Sequence, residues 1–444
     1  MATVIGMPSV MWFRRDLRVR DNPALLAALA DGPVTALFVI DPVLWSGAGP
    51  ARRAWLAANV LALAERIPLS IRYGDPLAVV PAVADGSAVH IAAETTPYGR
   101  RRDAALGEVV DLEATGSAYA VGPGLITNGT GDPYQVFSAF ARAWRERGWP
   151  APATTPRSPD LAPADSDPEA VRLLEQAVAD KPFELPSPGE EAASRRWQAF
   201  RSEDLEAYPV ERDRPDHDGT SRLSPYLHLG VLHPRSLLAD LDPASTYATE
   251  LAWREFYADV LWHAPSSAWS DLKPALSGMR YDDPEDAIDA WRTGTTGYPI
   301  VDAGMRQLLA TGWMHNRVRM ITASFFTKDL HAWWPIGARH FLSLLIDGDV
   351  ASNNHGWQWV AGTGTDASPY FRVFNPVTQG RKFDPDGSYV RRWVPELAHL
   401  AGAAAHEPWK SDVGYDHGYP ARIVDHADER REALRRYEAA RGRA

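Results

Sequence analysis

The sequence predicts a chain of two parts: an N-terminal Rossmann-like α/β domain built on a parallel sheet, then an all-α domain. Three observations carry that expectation. Residues 1–125 alternate short β-branched runs with Ala/Leu-rich stretches, a proline-dense segment follows, and beyond it apolar residues recur at helical spacing. A length of 444 residues also exceeds what one ordinary core organises.

Taken in order, the strand candidates are "SVMWF" at 9–13, "VTALFVI" at 34–40, "LSIRYG" at 69–74 and "AVHIAAE" at 88–94. Helical stretches such as "PALLAALA" and "RRAWLAANVLALAERI" separate them, the pattern of parallel strands joined by crossover helices. No G-x-G-x-x-G follows the first strand. "FRRDLRVRDNPAL" stands there instead, so a dinucleotide dehydrogenase loses its main support. Residues 126–190 are expected to connect the domains, with six prolines between Pro150 and Pro168. The helical domain, 191–444, carries stretches such as "ATELAWREFYADVLWHA", "PIVDAGMRQLLATGW" and "HNRVRMITASFFTKDL".

Composition narrows the function classes. Cysteine is absent, which removes disulfides, thiolate metal sites, iron–sulfur clusters and cysteine nucleophiles. No run approaches the roughly 20 apolar residues of a membrane span, and "MATVIGMPSVMWFRRDLRVRDN" turns charged too soon for a signal peptide. A cytoplasmic protein without a membrane partner is expected. The net charge of −11 does not exclude nucleic acid, because binding depends on local patches. Nine of the 17 tryptophans lie between Trp253 and Trp359, a concentration that suits either a large core or an aromatic binding surface.

Four stretches carry residues with chemistry. In "GTSRLSPYLHLG", Thr220 or Ser221 suits a helix N-cap; with Arg222 and Ser224 the same residues suit an anion. In "ELAWREFY", Glu250, Trp253, Arg254 and Tyr257 fall on one helix face, either as a buried ion pair among aromatics or as the wall of a cavity. In "GWMHNRVRM", Asn316 and Met320 share a face suited to a planar base, while Arg317 points elsewhere. In "IDGDVASNNHGWQWVAGTG", a helix over 350–359 puts Asn353 and Trp357 on one side. Trp359 then projects about 200° from Trp357, so the two indoles serve different neighbours. The nearby Asp347 and Asp349 lack a third ligand at metal spacing, and no metal is expected.

Together with "MWFRRDLRVRDNPAL" and "TGYPIVDAGMRQLLATGWMHNRVRM", these motifs resemble the photolyase/cryptochrome family nearly end to end, most of all microbial class I cyclobutane pyrimidine dimer photolyases. The resemblance implies an antenna domain at 1–125 and a helical catalytic domain holding folded FAD. It also implies a light-driven lyase that returns a flipped-out dimer in UV-damaged DNA to pyrimidines through an electron lent by excited FADH⁻. The expected protein is a monomer. By the same resemblance, FAD contacts fall on Tyr208, Thr220, Ser221, Arg222, Leu223, Ser224, Tyr247, Arg319, Asp347, Gly348, Asp349 and Asn353. Glu250, Asn316 and Met320 match positions at the dimer, and Trp253 and Trp359 the indoles that wall it. Arg212, Arg254, Tyr257, Arg317 and Gln379 match the DNA-binding side, with "GRK" (380–382) and "RRWV" (391–394) as its basic rim.

Two departures stand out. Electron supply in the family commonly runs along three tryptophans; Trp357 and Trp334 match the inner two, but the outer position falls on Tyr281, with Trp333 as another outlet. The antenna segment reads "TTPYGRRRD" where folate-binding members carry Asn-Glu, so 8-hydroxy-5-deazaflavin is preferred over methenyltetrahydrofolate. A cryptochrome-type photoreceptor without repair is the alternative. Repair of (6-4) photoproducts would call for paired histidines where "HNRVRM" stands.

Overall fold

The computed structural model describes residues 8–156, 158–276, 278–365 and 371–441; part of the "GTGTDASPYF" motif lies outside them. Five parallel strands form one sheet: β1 (Ser9–Phe13), β2 (Val34–Ile40), β3 (Leu69–Tyr73), β4 (Ala88–Ala93) and β5 (Leu112–Ser117), in the order β3-β2-β1-β4-β5. Met11 at the centre pairs with Ala36 of β2 and His90 of β4. Val10 and Trp12 enter the core on one face of the sheet, Met11 and Phe13 the core on the other. Both faces are covered, which is why β1 and β2 read as continuous apolar runs rather than alternating ones.

The fifth strand had no sequence signal. "LEATGS" is an edge strand with two exposed and one half-buried residue in its first three, so it has no apolar run to show. Within 126–190, Phe137–Arg147 and Pro168–Ala179 are helices. The proline-rich stretch between them is laid against the sheet. Ala162 N–H donates to Val34 O at 2.8 Å, and Asp167 N–H to Ile71 O at 2.8 Å, covering the β3 edge.

The rest is helical, with a second core around Trp291, Trp334 and Trp357. The two parts are joined by buried polar contacts. Trp55 Nε1–H donates to Pro225 O at 3.2 Å, and Arg18, only 2 % exposed, donates to Gly230 O at 3.0 Å. Glu255, on the Thr246–His263 helix, accepts the backbone N–H groups of Ala120, Val121 and Gly122. Among the described residues no helix is long and apolar enough to cross a membrane.

Candidate functional site

A cavity of about 740 Å³ opens in the helical part, within the usual size range of small-molecule and cofactor sites. Its first wall is the Thr246–His263 helix, started by Ser245, whose hydroxyl accepts Ala248 N–H at 3.2 Å. Helical spacing brings Glu250, Trp253, Arg254 and Tyr257 onto the cavity together. Trp253 is held by Phe137, its ring stacked at 3.5 Å with planes 9° apart. Glu250 accepts Arg212 Nη1–H at 2.6 Å; burial pushes its carboxyl up, against the pull of Arg212. Arg254 is engaged inward: it donates to Ala118 O and Leu227 O and lies over the Tyr119 ring at 4.3 Å.

The second wall is the Asn316–Ser324 helix, capped by His315, whose Nδ1 accepts Arg317 N–H. Asn316 and Met320 both line the cavity, and so does Arg317, which helical spacing alone aimed elsewhere. The reason is a tertiary partner. Asp213 holds the Arg317 guanidinium at 2.6 Å, and the Phe383 ring lies 4.4 Å beneath it.

The third wall is the Val350–Ala361 helix with the loop before it. Asp349 is its N-cap, accepting Ser352 N–H at 2.9 Å through Oδ1. Oδ2 accepts Arg15 at 2.6 Å, a residue delivered from the end of β1. Burial works against the charge, yet Arg15, with His228 and Arg254 behind it, holds the Asp349 carboxyl well below the usual range. Asp347 Oδ2 accepts Arg319 at 2.8 Å and Ser224 Oγ–H at 2.6 Å. Asp347 Oδ1 is buried and has no partner among the described residues. Such an acceptor is costly to leave unmade, so it marks a place where a ligand donor belongs. Asn353 Nδ2 donates to Ala338 O and Asn354 Oδ1, which leaves the amide oxygen as its free group at the cavity wall.

Trp357 also lines the cavity and packs edge-on against Phe341 at 5.1 Å and Trp291 at 6.0 Å. Only a glycine at 337 allows this: a Cβ there would fall 2.3 Å from the Trp357 ring. The Trp334–Leu344 helix therefore lies directly against it. Trp334 is fully buried off the cavity, its Nε1–H donating to Asp271 Oδ1 at 2.7 Å. Trp359 lines the cavity too, with Arg372 5.8 Å from its ring.

Several sequence candidates stand elsewhere. Neither Thr220 nor Ser221 caps a helix: the short Ser224–His228 helix begins after Leu223, without a side-chain cap. Ser221 Oγ instead accepts from Tyr247 Oη at 2.8 Å and from Leu223 N, and Arg222 turns the chain with φ +51°. Tyr208, Ser221 and Tyr247 form a buried cluster beside the cavity rather than in its lining. Thr220, Arg222 and Leu223 are also outside that lining; Ser224 touches it through Asp347, and Gly348 is part of it. Gln379 sits on the Pro376–Phe383 helix away from the lining, and Tyr281 lines a separate, small cavity. Sequence reasoning missed Arg15, Val136, Phe341, Ser352, Gly356 and Arg372. Arg15 lies in "FRRDLR", a stretch read for its missing glycines and its family likeness but not as a site residue; a partner 334 residues away leaves no local trace.

An unsatisfied carboxylate oxygen, a primary amide and three indoles around one large cavity define a protein that holds a flat ligand rich in hydrogen-bonding groups. Comparison with known proteins makes this specific. Residues 247–439 match the FAD binding domain of DNA photolyase, and residues 9–160 match the DNA photolyase domain. A deoxyribodipyrimidine photo-lyase of Halobacterium salinarum is 40% identical, over 98% of this chain and 99% of that protein. Among solved structures, a bacterial class III photolyase from Agrobacterium tumefaciens superposes with a TM-score of 0.90 at 34% identity, covering 99% of each chain. An archaeal photolyase from Sulfolobus tokodaii, described with two FAD molecules, gives 0.85 at 28% identity over 98% of this chain and 100% of that one. The chain belongs to the DNA photolyase family: it is a photo-lyase, an FAD-binding enzyme of DNA repair.

Proposed function

We propose that this photo-lyase splits cyclobutane pyrimidine dimers in UV-damaged DNA with an electron lent by light. The observation that carries the reading is one shared cavity: Glu250, Asn316 and Met320 face it together with Asn353, Asp347 and Trp357. FAD, held there in its reduced form, would supply the light-excited electron for opening the cyclobutane ring. The chain's own residues do the rest. Asp347 offers Oδ1 to a donor of the cofactor, Asn353 offers its amide oxygen, and the paired Arg15 and Arg319 keep both acidic side chains fixed. Glu250 and Asn316 hydrogen-bond the edge of the dimer, Met320 supports its face, and Trp253 and Trp359 wall it. The damaged pair costs less to extrude than an intact one, which favours a flipped-out substrate. Arg212, Arg317 and Arg372 at the cavity give the salt-dependent grip on phosphates.

In this reading residues 1–125 carry the antenna, 126–190 connect, and 191–444 catalyse in a cytoplasmic monomer. The antenna is 8-hydroxy-5-deazaflavin; the second FAD named for the Sulfolobus tokodaii photolyase makes a flavin its main competitor. Extraction and chromatography of the bound chromophores decides between them. Repair is tested by illuminating the protein under reducing conditions with dimer-containing oligothymidylate. Thymine absorbance is expected to recover. Bound FAD without recovery would overturn repair and leave a photoreceptor.

With flavin bound, Trp357 at the cavity wall would relay electrons to it, with Trp334 and then Tyr281 as the residues behind it. Gly337 brings the helix of Trp334 against Trp357.

A further inference from the structure

A second group of chemistry-bearing side chains sits in the α/β part, and none of it lines the cavity described above. His90 on β4, Glu113 on β5 and Asp31 at the end of the Pro23–Asp31 helix each bring one nitrogen or oxygen within 4.8 Å of the others. Sheet register joins the first two. His90 and Glu113 pair directly across parallel strands, so their side chains leave the same face. Met11, the partner of His90 on its other side, shares a core with Leu25 and Ala28, so the Pro23–Asp31 helix covers that face and delivers Asp31 to it. Three separate elements supply the three residues, which is why no sequence spacing announced them.

The imidazole is held at one nitrogen only. His90 is 1 % exposed, whereas the Asp31 and Glu113 side chains are 44 % and 51 % exposed, so the group lies at the edge of the core with solvent on one side. His90 Nε2 is 2.8 Å from Asp31 Oδ2, and because a carboxylate can only accept, Nε2 carries the hydrogen. His90 Nδ1 is buried with no hydrogen-bond partner among the described residues. Glu113 Oε2 stands 3.7 Å from it, too far for a hydrogen bond. A buried lone pair facing a carboxylate oxygen across such a gap is unfavourable unless a cation lies between them. Zinc binds imidazole nitrogen and carboxylate oxygen at about 2.0–2.2 Å, so one ion bridges the gap at an N–metal–O angle of roughly 120°. Asp31 then occupies the place where a metal-bound imidazole usually finds a carboxylate, on its other ring nitrogen, fixing tautomer and orientation.

We propose that His90 Nδ1 and Glu113 ligate a divalent transition cation of the zinc class, with Asp31 orienting the imidazole and water completing the coordination on the exposed side. The imidazole selects zinc, nickel or copper over magnesium and calcium, which prefer oxygen ligands. The ion pins the sheet where its pairing is weakest: β5 is an edge strand, and its register with β4 shifts between Ile91 and Ala93.

The test is calorimetric titration of the FAD-loaded, chelator-stripped protein with zinc and, separately, with magnesium. One saturable zinc site and no saturable magnesium binding are expected. Asp31→Ala should weaken zinc about 10–100-fold, the usual cost of losing an orienting partner, and Glu113→Ala, which removes a ligand outright, at least as much. Both positions are exposed, so these variants are expected to fold and keep their flavin. His90→Gln should abolish the site, with unfolding in the absence of metal as its control. Zinc should also raise the thermal midpoint of the wild type and leave that of Glu113→Ala unmoved. Exposed histidines are the competing sink, above all His399, whose ring lies 4.5 Å from that of His417. His399→Gln is therefore expected to bind zinc as the wild type does; a loss there with none in Glu113→Ala would overturn the assignment. Absence of saturable zinc binding would also overturn it, leaving a histidinium held between two acids, and magnesium binding as tight as zinc would reduce the site to charge attraction and refute ligation by His90.

Discussion

Two of the three carboxylates that line the cavity live under opposite conditions. Asp349, the more deeply set at 7 % exposure, is an N-cap with a half-buried arginine on its other oxygen, and those partners outweigh burial. Glu250, 27 % exposed, has one arginine, itself 26 % exposed against 18 % for Arg15, and there burial prevails. The difference separates the tasks: the inner acid is fixed in its charge and position, while the outer one remains able to gain a proton and donate it to a bound base. The same division runs through the arginines, since Arg15 is consumed by Asp349 whereas Arg212 and Arg317 pair with groups that substrate can replace.

Breaking the inner pair should have the largest effect. Asp349→Ala removes the N-cap and strands Arg15, and a loss of about 3–5 kcal/mol is expected from the unpaired buried charge, read by urea unfolding together with loss of flavin. Because the Asp349 carboxyl is depressed in the folded state, its contribution is present above the unfolded value of about 4 and fades as pH falls below it. Acid titration of stability should show that limb in the wild type, and Asp349→Asn should flatten it. Trp357→Phe comes next: photoreduction drops to background, while repair by chemically reduced protein stays within about twofold, and equal losses in both assays would refute the split. Asn316→Ala is smaller, costing repair about tenfold, near 1.4 kcal/mol, with flavin content unchanged. Smallest is Arg372→Gln, expected to lower DNA affinity a few-fold and to reduce its salt slope by about one unit.

How much of this was legible follows from range. Four strands showed themselves because the covered sheet faces draw mostly apolar and β-branched residues into their runs; β5 did not, because an exposed edge needs no such run. The Glu250–Tyr257 face, the helix over Asn353 and Trp357, and the Asn316–Met320 pair were readable because 3.6-residue spacing fixes which side chains meet. Thr220 and Ser221 misled for a local reason: hydroxyls before a helix look like caps, but a left-handed Arg222 and the Tyr247 hydroxyl take them elsewhere. Arg317 misled for a distant one, being drawn to the cavity by Asp213.

The sequence by itself determined the two-part architecture, the faces of the site helices and the family, since periodicity and contiguous motifs survive without coordinates. Only the tertiary structure decided which charges are spent and which are free. Arg15 on Asp349, Arg254 on two carbonyls, and Asp271 under Trp334 are pairs whose members lie tens to hundreds of residues apart. Electrostatic strength depends on distance and burial rather than on order along the chain, so those pairings came into view only when the chain was folded.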